Sequence, residues 1–377
     1  MPYIPRRRVR RPARGGRRWT AALPMVLCAL LLFRFAAAPI SGEVLLTRLA
    51  ENPVFVTALL RAELGLAATA AETADSAFFQ QRSDEALSAL SPGPAPDAPV
   101  PAPEDQDVVP AVPETVIKER TLSAGTGDAW VTAGGVTVYN RAGIDLDLAS
   151  LLTREADIGW SEEAPQVLIY HTHGTEAYAM TPGDPYQESD PYRTTDTRHN
   201  MVRVGDELAA ALKANGISVV HDRTLYDYPS YNNSYARSLE GVEALLAEYP
   251  SIRVVIDLHR DALEAADGTV YKTVADAGGQ TAAQVLLVLG TDAAGQPHPN
   301  WQDNLCFALA IQRQLDADWP ALARPLTLRS YRYNQQVLPG ALLIEVGTHG
   351  NSLEEALLSA RLLGQSISVV LTEKQSP

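Results

Sequence analysis

Three apolar runs, each breaking directly into histidine or acid, constrain this chain more than any other feature. They are Val167–Tyr170 before His171-Thr172-His173-Gly174-Thr175-Glu176, Ile252–Leu258 before His259-Arg260-Asp261, and Ala341–Ile344 before Glu345-Val346-Gly347. Short runs that are apolar at successive positions read as strands buried on both faces. Helical patterns separate them. Met201–Ala214 is amphipathic and stops at Asn215-Gly216, Leu239–Glu248 stops at Pro250, and Asn304–Leu315 and Leu353–Leu371 follow. Further strands are expected at Gly134–Asn140, Ile217–Val220 and Ala283–Leu289. The alternation predicts an α/β fold, a mixed and mostly parallel sheet flanked by helices.

Open α/β sheets gather ligands at the carboxyl ends of their strands, where these three runs carry their chemistry. His173 and Glu176 form H-x-x-E, two side chains able to reach one ion from a strand-to-helix turn, and a distant His259 completes a His₂Glu set. Catalytic zinc sites use three such N/O donors and leave a fourth position to water. Bound Zn2+ lowers the pKa of that water to about 7, and a carboxylate must still carry the proton to a leaving nitrogen. Glu345 is free for that work, and Gly347 would let a substrate approach the backbone. A lone H-x-x-E is common by chance; its weight comes from His259 and Glu345 at other strand ends. His171 is open between ligand, orienting partner and structural histidine, and Asp257 or Asp261 can orient a ligand too. Arg260 either holds a substrate carboxylate or bridges Asp257 or Asp261. His199 reads as part of a helix cap or as a ligand, His221 and His298 as surface residues, and His349 as a substrate contact or a surface residue. The segment Tyr226–Tyr235, aromatic and polar, reads as a carbohydrate or peptide platform or as a surface turn. No G-x-S-x-G, P-loop or dinucleotide fingerprint is present.

The remainder of the 377 residues is organised around export. Residues 1–18 are a basic arm with eight arginines between Arg6 and Arg18. Residues 19–42 hold the apolar run Ala21–Phe33, Arg34 and a second run to Ile40, and read as a membrane anchor or a signal segment. Either way the basic side stays in the cytoplasm and the rest is exported. Residues 43–90 contain a helical stretch at 43–76, residues 91–120 are a linker rich in Pro, Ala and acid, and residues 121–377 are the catalytic domain. The net charge of −14 becomes −22 without the arginine arm, which excludes general nucleic-acid binding through phosphates. Two cysteines, Cys28 and Cys306, exclude a disulfide-stapled scaffold.

From about Thr121 onward the chain resembles the stage II sporulation protein P family. The resemblance rests on V-L-I-Y-H-T-H-G-T-E-A-Y at 167–178, T-L-Y-D-Y-P-S-Y-N-N-S-Y at 224–235, V-I-D-L-H-R-D-A at 255–262, N-W-Q-D-N-L-C-F-A at 300–308, Y-N-Q at 333–335 and L-L-I-E-V-G at 342–347. Two positions depart: Tyr226 stands where a histidine is expected, and Gly174 where a larger residue is usual. The resemblance implies a fold similar to the zinc amidases of cell walls. It implies a zinc-dependent N-acetylmuramoyl-L-alanine amidase with endopeptidase activity, acting on peptidoglycan during engulfment in endospore formers. It also implies stage II sporulation proteins D and M as partners, and an anchor in the cell membrane with the catalytic domain in the space between mother cell and forespore. The alternatives are a carboxypeptidase-type zinc peptidase and a non-catalytic membrane-tethered wall-binding scaffold.

Overall fold

The computed structural model describes residues 116–373. The basic arm, the apolar segment, the helical stretch and most of the linker lie outside them. Among the described residues no helix is long and apolar enough to cross a membrane.

In chain order the elements are β1 (Ile117–Arg120), β2 (Trp130–Ala133), β3 (Val136–Asn140), α1 (Leu148–Leu151), β4 (Val167–Tyr170), α2 (Met201–Ala214), β5 (Val219–His221), α3 (Ser234–Glu248), β6 (Val254–Asp261), β7 (Val270–Asp276), β8 (Thr281–Ala283), β9 (Val285–Gly290), α4 (Trp301–Asp318), β10 (Leu326–Arg329), β11 (Ala341–Thr348) and α5 (Leu353–Glu373). Eight strands form one sheet in the order β2-β3-β10-β9-β11-β6-β4-β5. Only β2–β3 and β9–β11 are antiparallel, so the mixed, mostly parallel sheet is observed. A second, three-stranded sheet, β1-β7-β8, was not expected. Its strand β1 falls inside the stretch read as linker.

The sheet is covered on both faces, which is why its strands read as continuous apolar runs. Val167, Ile169, Val254, Ile256, Leu258, Leu342 and Ile344 share one apolar cluster with Leu208 and Leu212 of α2, Phe307 of α4 and Leu363 of α5. The alternate residues Leu168, Tyr170, Val255 and Ala341 pack on the other face with Val242 of α3. Ile256 is fully buried between these layers. Its truncation to alanine is expected to cost ~2–5 kcal/mol.

Helix α2 has the predicted bounds: Asn200 Oδ1 accepts from the Val202 amide at 3.0 Å, and Gly216 takes the left-handed conformation past the C-terminus. Helix α3 starts five residues before the expected Leu239, at Ser234, after a left-handed Asn233. Its first turn is Ser-Tyr-Ala-Arg-Ser, in which Ser234 and Ser238 meet His173 and Thr172 while Tyr235 packs with Leu286, Val288 and Leu343. Strands β6 and β11 both run past their expected ends. His259 and Glu345 therefore lie within strands, and the parallel register pairs them with each other.

Candidate functional site

Strand alternation places the central groups. Along β6 the residues Asp257, His259 and Asp261 share the face of Val255, away from Leu258. Along β11, Glu345 shares the face of Ala341 and Leu343. Register pairing of Glu345 with His259 then puts an acid beside an imidazole on the face that carries α3. The turn after β4 brings His173 and Glu176 to the same place. His173, Glu176 and His259 are fully buried, and Glu345 is 2% exposed.

The rings of His173 and His259 meet edge to face with centroids 5.3 Å apart. His259 Nδ1 lies 3.6 Å from Glu176 Oε2, while its Nε2 lies 2.8 Å from Asp257 Oδ1. Asp257 is itself held by Thr172, whose amide donates to Oδ1 at 2.8 Å and whose hydroxyl donates to Oδ2 at 2.7 Å. The Thr172 hydroxyl also lies 2.8 Å from Ser238 Oγ of α3. Asp257 thus places its charge on the Nε2 side of His259, and Nδ1 is the nitrogen turned towards Glu176. The Arg260 amide donates to Glu176 Oε2 at 3.1 Å, and Arg193 Nη2 stands 3.6 Å from Oε1. Burial alone would raise the Glu176 pKa. The charges of Arg260, His259 and Arg193 outweigh it and keep the carboxyl well below its usual range. Burial likewise works against a charged His259, but Asp257 and then Glu176 raise its pKa.

The tyrosine-rich segment is the wall of this cluster. Tyr231 stacks on His173 with centroids 4.4 Å apart, and its hydroxyl lies 2.8 Å from His173 Nε2. Tyr235 meets the same imidazole edge-on at 5.6 Å, and Ser234 Oγ is 3.4 Å from its Nδ1. Only Tyr228 of these aromatics is largely exposed, at 55%. The sequence signal for this wall was the aromatic spacing, which does not by itself say which tyrosine touches a histidine. Both departures from the family pattern pack here. A side chain at Gly174 would meet Leu225 at 2.9 Å, and one at Gly241 would overlap the Tyr226 hydroxyl.

Several expectations need correction. His171 does not join the cluster. It follows Ile169 onto the opposite face, where Nδ1 bonds the Leu258 carbonyl at 2.8 Å and Nε2 meets His221 Nε2 at 2.8 Å. Gly205 of α2 leaves room for that pair, since a Cβ there would come within 2.5 Å of His221. Burial, then the neighbouring His221, lowers the His171 pKa to about 3, so its ring is neutral. Arg260 turns to backbone carbonyls of the loop after β4. Its Nε and Nη2 each donate at 2.9 Å, to the carbonyls of Ala177 and Tyr192, so it clamps the 177–192 loop. Asp261 instead pairs with Arg324 at 2.7 Å. Gly347 serves a strand bulge at φ +66 and close packing, with Ala283 and Asn351 each 2.8 Å from where a Cβ would stand. Neither His221 nor His298 is a free surface residue: His221 bonds His171, and His298 is 1% exposed. His349 is also buried, against the ring of Tyr192. His199 is held between Asp184 and Asp196, and the helix cap is Asn200.

Two imidazoles and a carboxylate are the donor chemistry that zinc takes, and His173 and Glu176 of the turn after β4 converge with His259 of β6. Among the described residues, however, no three His, Cys, Asp or Glu side chains are arranged to hold a metal ion. His173 faces the Tyr231 hydroxyl, and His259 Nδ1 faces Glu176.

A model of the family "Stage II sporulation protein P" matches residues 116–368. Stage II sporulation protein P of Bacillus subtilis (strain 168) is 30% identical over 203 residues, covering 50% of this chain and 47% of that relative. The chain thus spans about half the length of the curated relative it matches. Similar solved structures include N-acetylmuramoyl-L-alanine amidase AmiC2 of Nostoc punctiforme, at 10% identity, 58% and 100% coverage and a TM-score of 0.34. Amidase Ami1 of Mycobacterium smegmatis has 14% identity, 56% and 100% coverage and a TM-score of 0.35. The CwlD amidase of Clostridioides difficile, solved in complex with the GerS lipoprotein, has 14% identity, 56% and 98% coverage and a TM-score of 0.35.

Proposed function

Because the chain belongs to the stage II sporulation protein P family, we propose that it is a zinc-dependent peptidoglycan amidase. The bond cut is the amide between N-acetylmuramic acid and the L-Ala of the stem peptide. The observation that carries this reading is the burial of His173, Glu176 and His259 against one another, with Glu345 in register beside His259.

His173, Glu176 and His259 would hold the ion. When bound, zinc supplies Lewis acidity for a scissile carbonyl and brings the pKa of water to about 7. The Asp257 carboxylate would orient the His259 ring from the Nε2 side, 2.8 Å away, with Nδ1 towards Glu176 as the ligand nitrogen. Glu345 takes a proton from the attacking water and delivers it to the departing nitrogen. Arg260 and Arg193 fix the loop that carries Glu176.

The wider setting belongs to the same proposal. The protein would be tethered in the membrane through residues 19–42 and work in engulfment with stage II sporulation proteins D and M, cutting stem-peptide bonds as a second activity. The test is digestion of purified peptidoglycan by the full chain, read by mass spectrometry together with metal analysis. Stem peptides with a free L-Ala amino terminus and about one zinc per chain, lost in His259→Ala, are expected. Release of single carboxy-terminal amino acids with intact muramyl peptides would overturn the amidase reading. Undiminished zinc in His259→Ala would remove that residue from the ligand set.

A further inference from the structure

Two carboxylates share one guanidinium at the edge of the cluster. Arg193 Nη1 donates to Asp227 Oδ2 at 2.7 Å, while its Nη2 stands 3.6 Å from Glu176 Oε1. Both acid side chains are shut off from solvent. Asp227 thus has the hydrogen bond of Arg193, and Glu176 the longer ion pair. The second oxygen of Glu176 accepts from the Arg260 amide at 3.1 Å and lies 3.6 Å from His259 Nδ1.

The bonds of Asp227 reach out of its own tyrosine-rich segment. Its carboxylate accepts from the Thr175 amide at 3.2 and 3.3 Å and from the Thr175 hydroxyl at 2.6 Å, so it grips the turn between His173 and Glu176. The shape of the segment is held by another residue. Arg237 of α3 donates to the carbonyls of Tyr226, at 2.7 Å, and of Asn232, at 2.8 Å. Asp227 therefore attaches a loop that Arg237 shapes.

Loss of the Asp227 charge would change the balance at Arg193. A buried guanidinium closes on the acid that remains, and that acid is Glu176. Going from 3.6 Å to the ~2.8 Å of a charge-assisted hydrogen bond is a movement of ~0.8 Å, which draws Glu176 towards Arg193 and off His259.

We propose that Asp227 is a positioning residue for the hydrolytic reaction: it holds Arg193 back from Glu176 and so keeps the Glu176 carboxylate on His259. The assignment rests on the amidase reading.

Asp227→Asn keeps the side-chain shape, leaves the Arg237 bonds in place and removes the charge. The full chain is assayed for stem-peptide release from purified peptidoglycan, with urea unfolding of the same samples. The expected fall in kcat is about 10–10²-fold, the scale of an ångström-sized misplacement, with KM within about twofold of wild type. The double variant Asp227→Asn, Arg193→Gln removes the guanidinium that would close on Glu176. It should regain at least about fivefold in kcat over Asp227→Asn, a non-additivity that lost stability alone does not produce. Hydrogen exchange reads the tether without substrate: residues 171–178 and 224–235 should exchange faster in Asp227→Asn while β4 and β6 stay protected. Unchanged exchange there would overturn the proposal, as would a double variant no more active than Asp227→Asn or a fall in kcat matched by loss of folded protein. Unchanged kcat in Asp227→Asn beside an active wild type would overturn it and leave the amidase reading in place. A wild type that releases no stem peptides would overturn that reading, and this role for Asp227 with it.

Discussion

Asp257 offers the sharpest test of how the site is assembled, because its hydrogen bonds predict different outcomes for two substitutions. The carboxylate accepts from the Thr172 amide and the Thr172 hydroxyl, and it faces His259 Nε2. In Asp257→Asn one oxygen can still accept from the Thr172 amide and from His259. The new amide group can donate to the Thr172 hydroxyl, which turns its own proton to Ser238 Oγ, 2.8 Å away. These contacts survive with two of them reversed, and the charge is lost. We therefore expect Asp257→Asn to fold normally and to bind zinc about tenfold more weakly, at the mild end of what an orienting partner contributes. Asp257→Ala leaves the buried Thr172 amide without its acceptor and removes the negative charge beside His259 Nε2. It should cost ~2–5 kcal/mol of stability and about 100-fold in zinc affinity. Urea unfolding and chelator competition on the full chain measure both quantities. Zinc affinity within twofold of wild type in Asp257→Ala would refute the reasoning, since His259 would then need no orientation from β6.

Glu345→Gln should keep its zinc and its binding to peptidoglycan while stem-peptide release falls by at least about 10²-fold; zinc lost in this variant would make Glu345 a ligand. Gly205→Ala should push the His171–His221 pair apart and lower the melting temperature, at a cost of ~1–3 kcal/mol. An unchanged melting temperature would show that α2 can shift to accommodate the methyl group. His298 gives a pH prediction. Burial, then the Arg332 charge, lowers its pKa from 6.5 to about 4. The unfolded chain takes up this proton first, so stability should fall as pH drops from 6.5 towards 4 and level off below. The full effect is ~3 kcal/mol. In His298→Gln the acid slope of unfolding free energy should be flatter by that amount across the window, and an identical slope would refute it.

Much of the fold was legible because burial on both faces writes a strand as an apolar run, and a period of 3.6 writes α2 with its cap. The His173, Glu176, His259 and Glu345 cluster was legible because polar residues directly after such runs need a reason to be there. The parts that were missed share physical causes. Strand β10 is short, and β7, though seven residues long, buries only Val270, Thr273 and Ala275, so neither makes a continuous apolar run. The alternatives for His171 and Arg260 stayed open in the sequence because an apolar run does not say which alternate residues face which layer. Both take the side of Ile169 and Leu258, opposite His259. His298 and His349 sit in loops whose burial depends on tertiary packing alone.

The pairing of Glu345 with His259 sets a phase as well as a distance. Neighbouring strands lie ~4.8 Å apart, a dimension that no loop can stretch, so the separation of acid and imidazole belongs to the backbone ladder. Insertions in the loops that carry Tyr192 or Tyr231 can reshape the rim of the site without touching it. One residue gained or lost between Ala341 and Glu345 is a different kind of event. It would rotate the acid to the far side of the sheet, among Ile344 and Leu258, and bring an apolar neighbour round in its place. Variation in length should therefore be tolerated around this site and forbidden within the two strands that floor it.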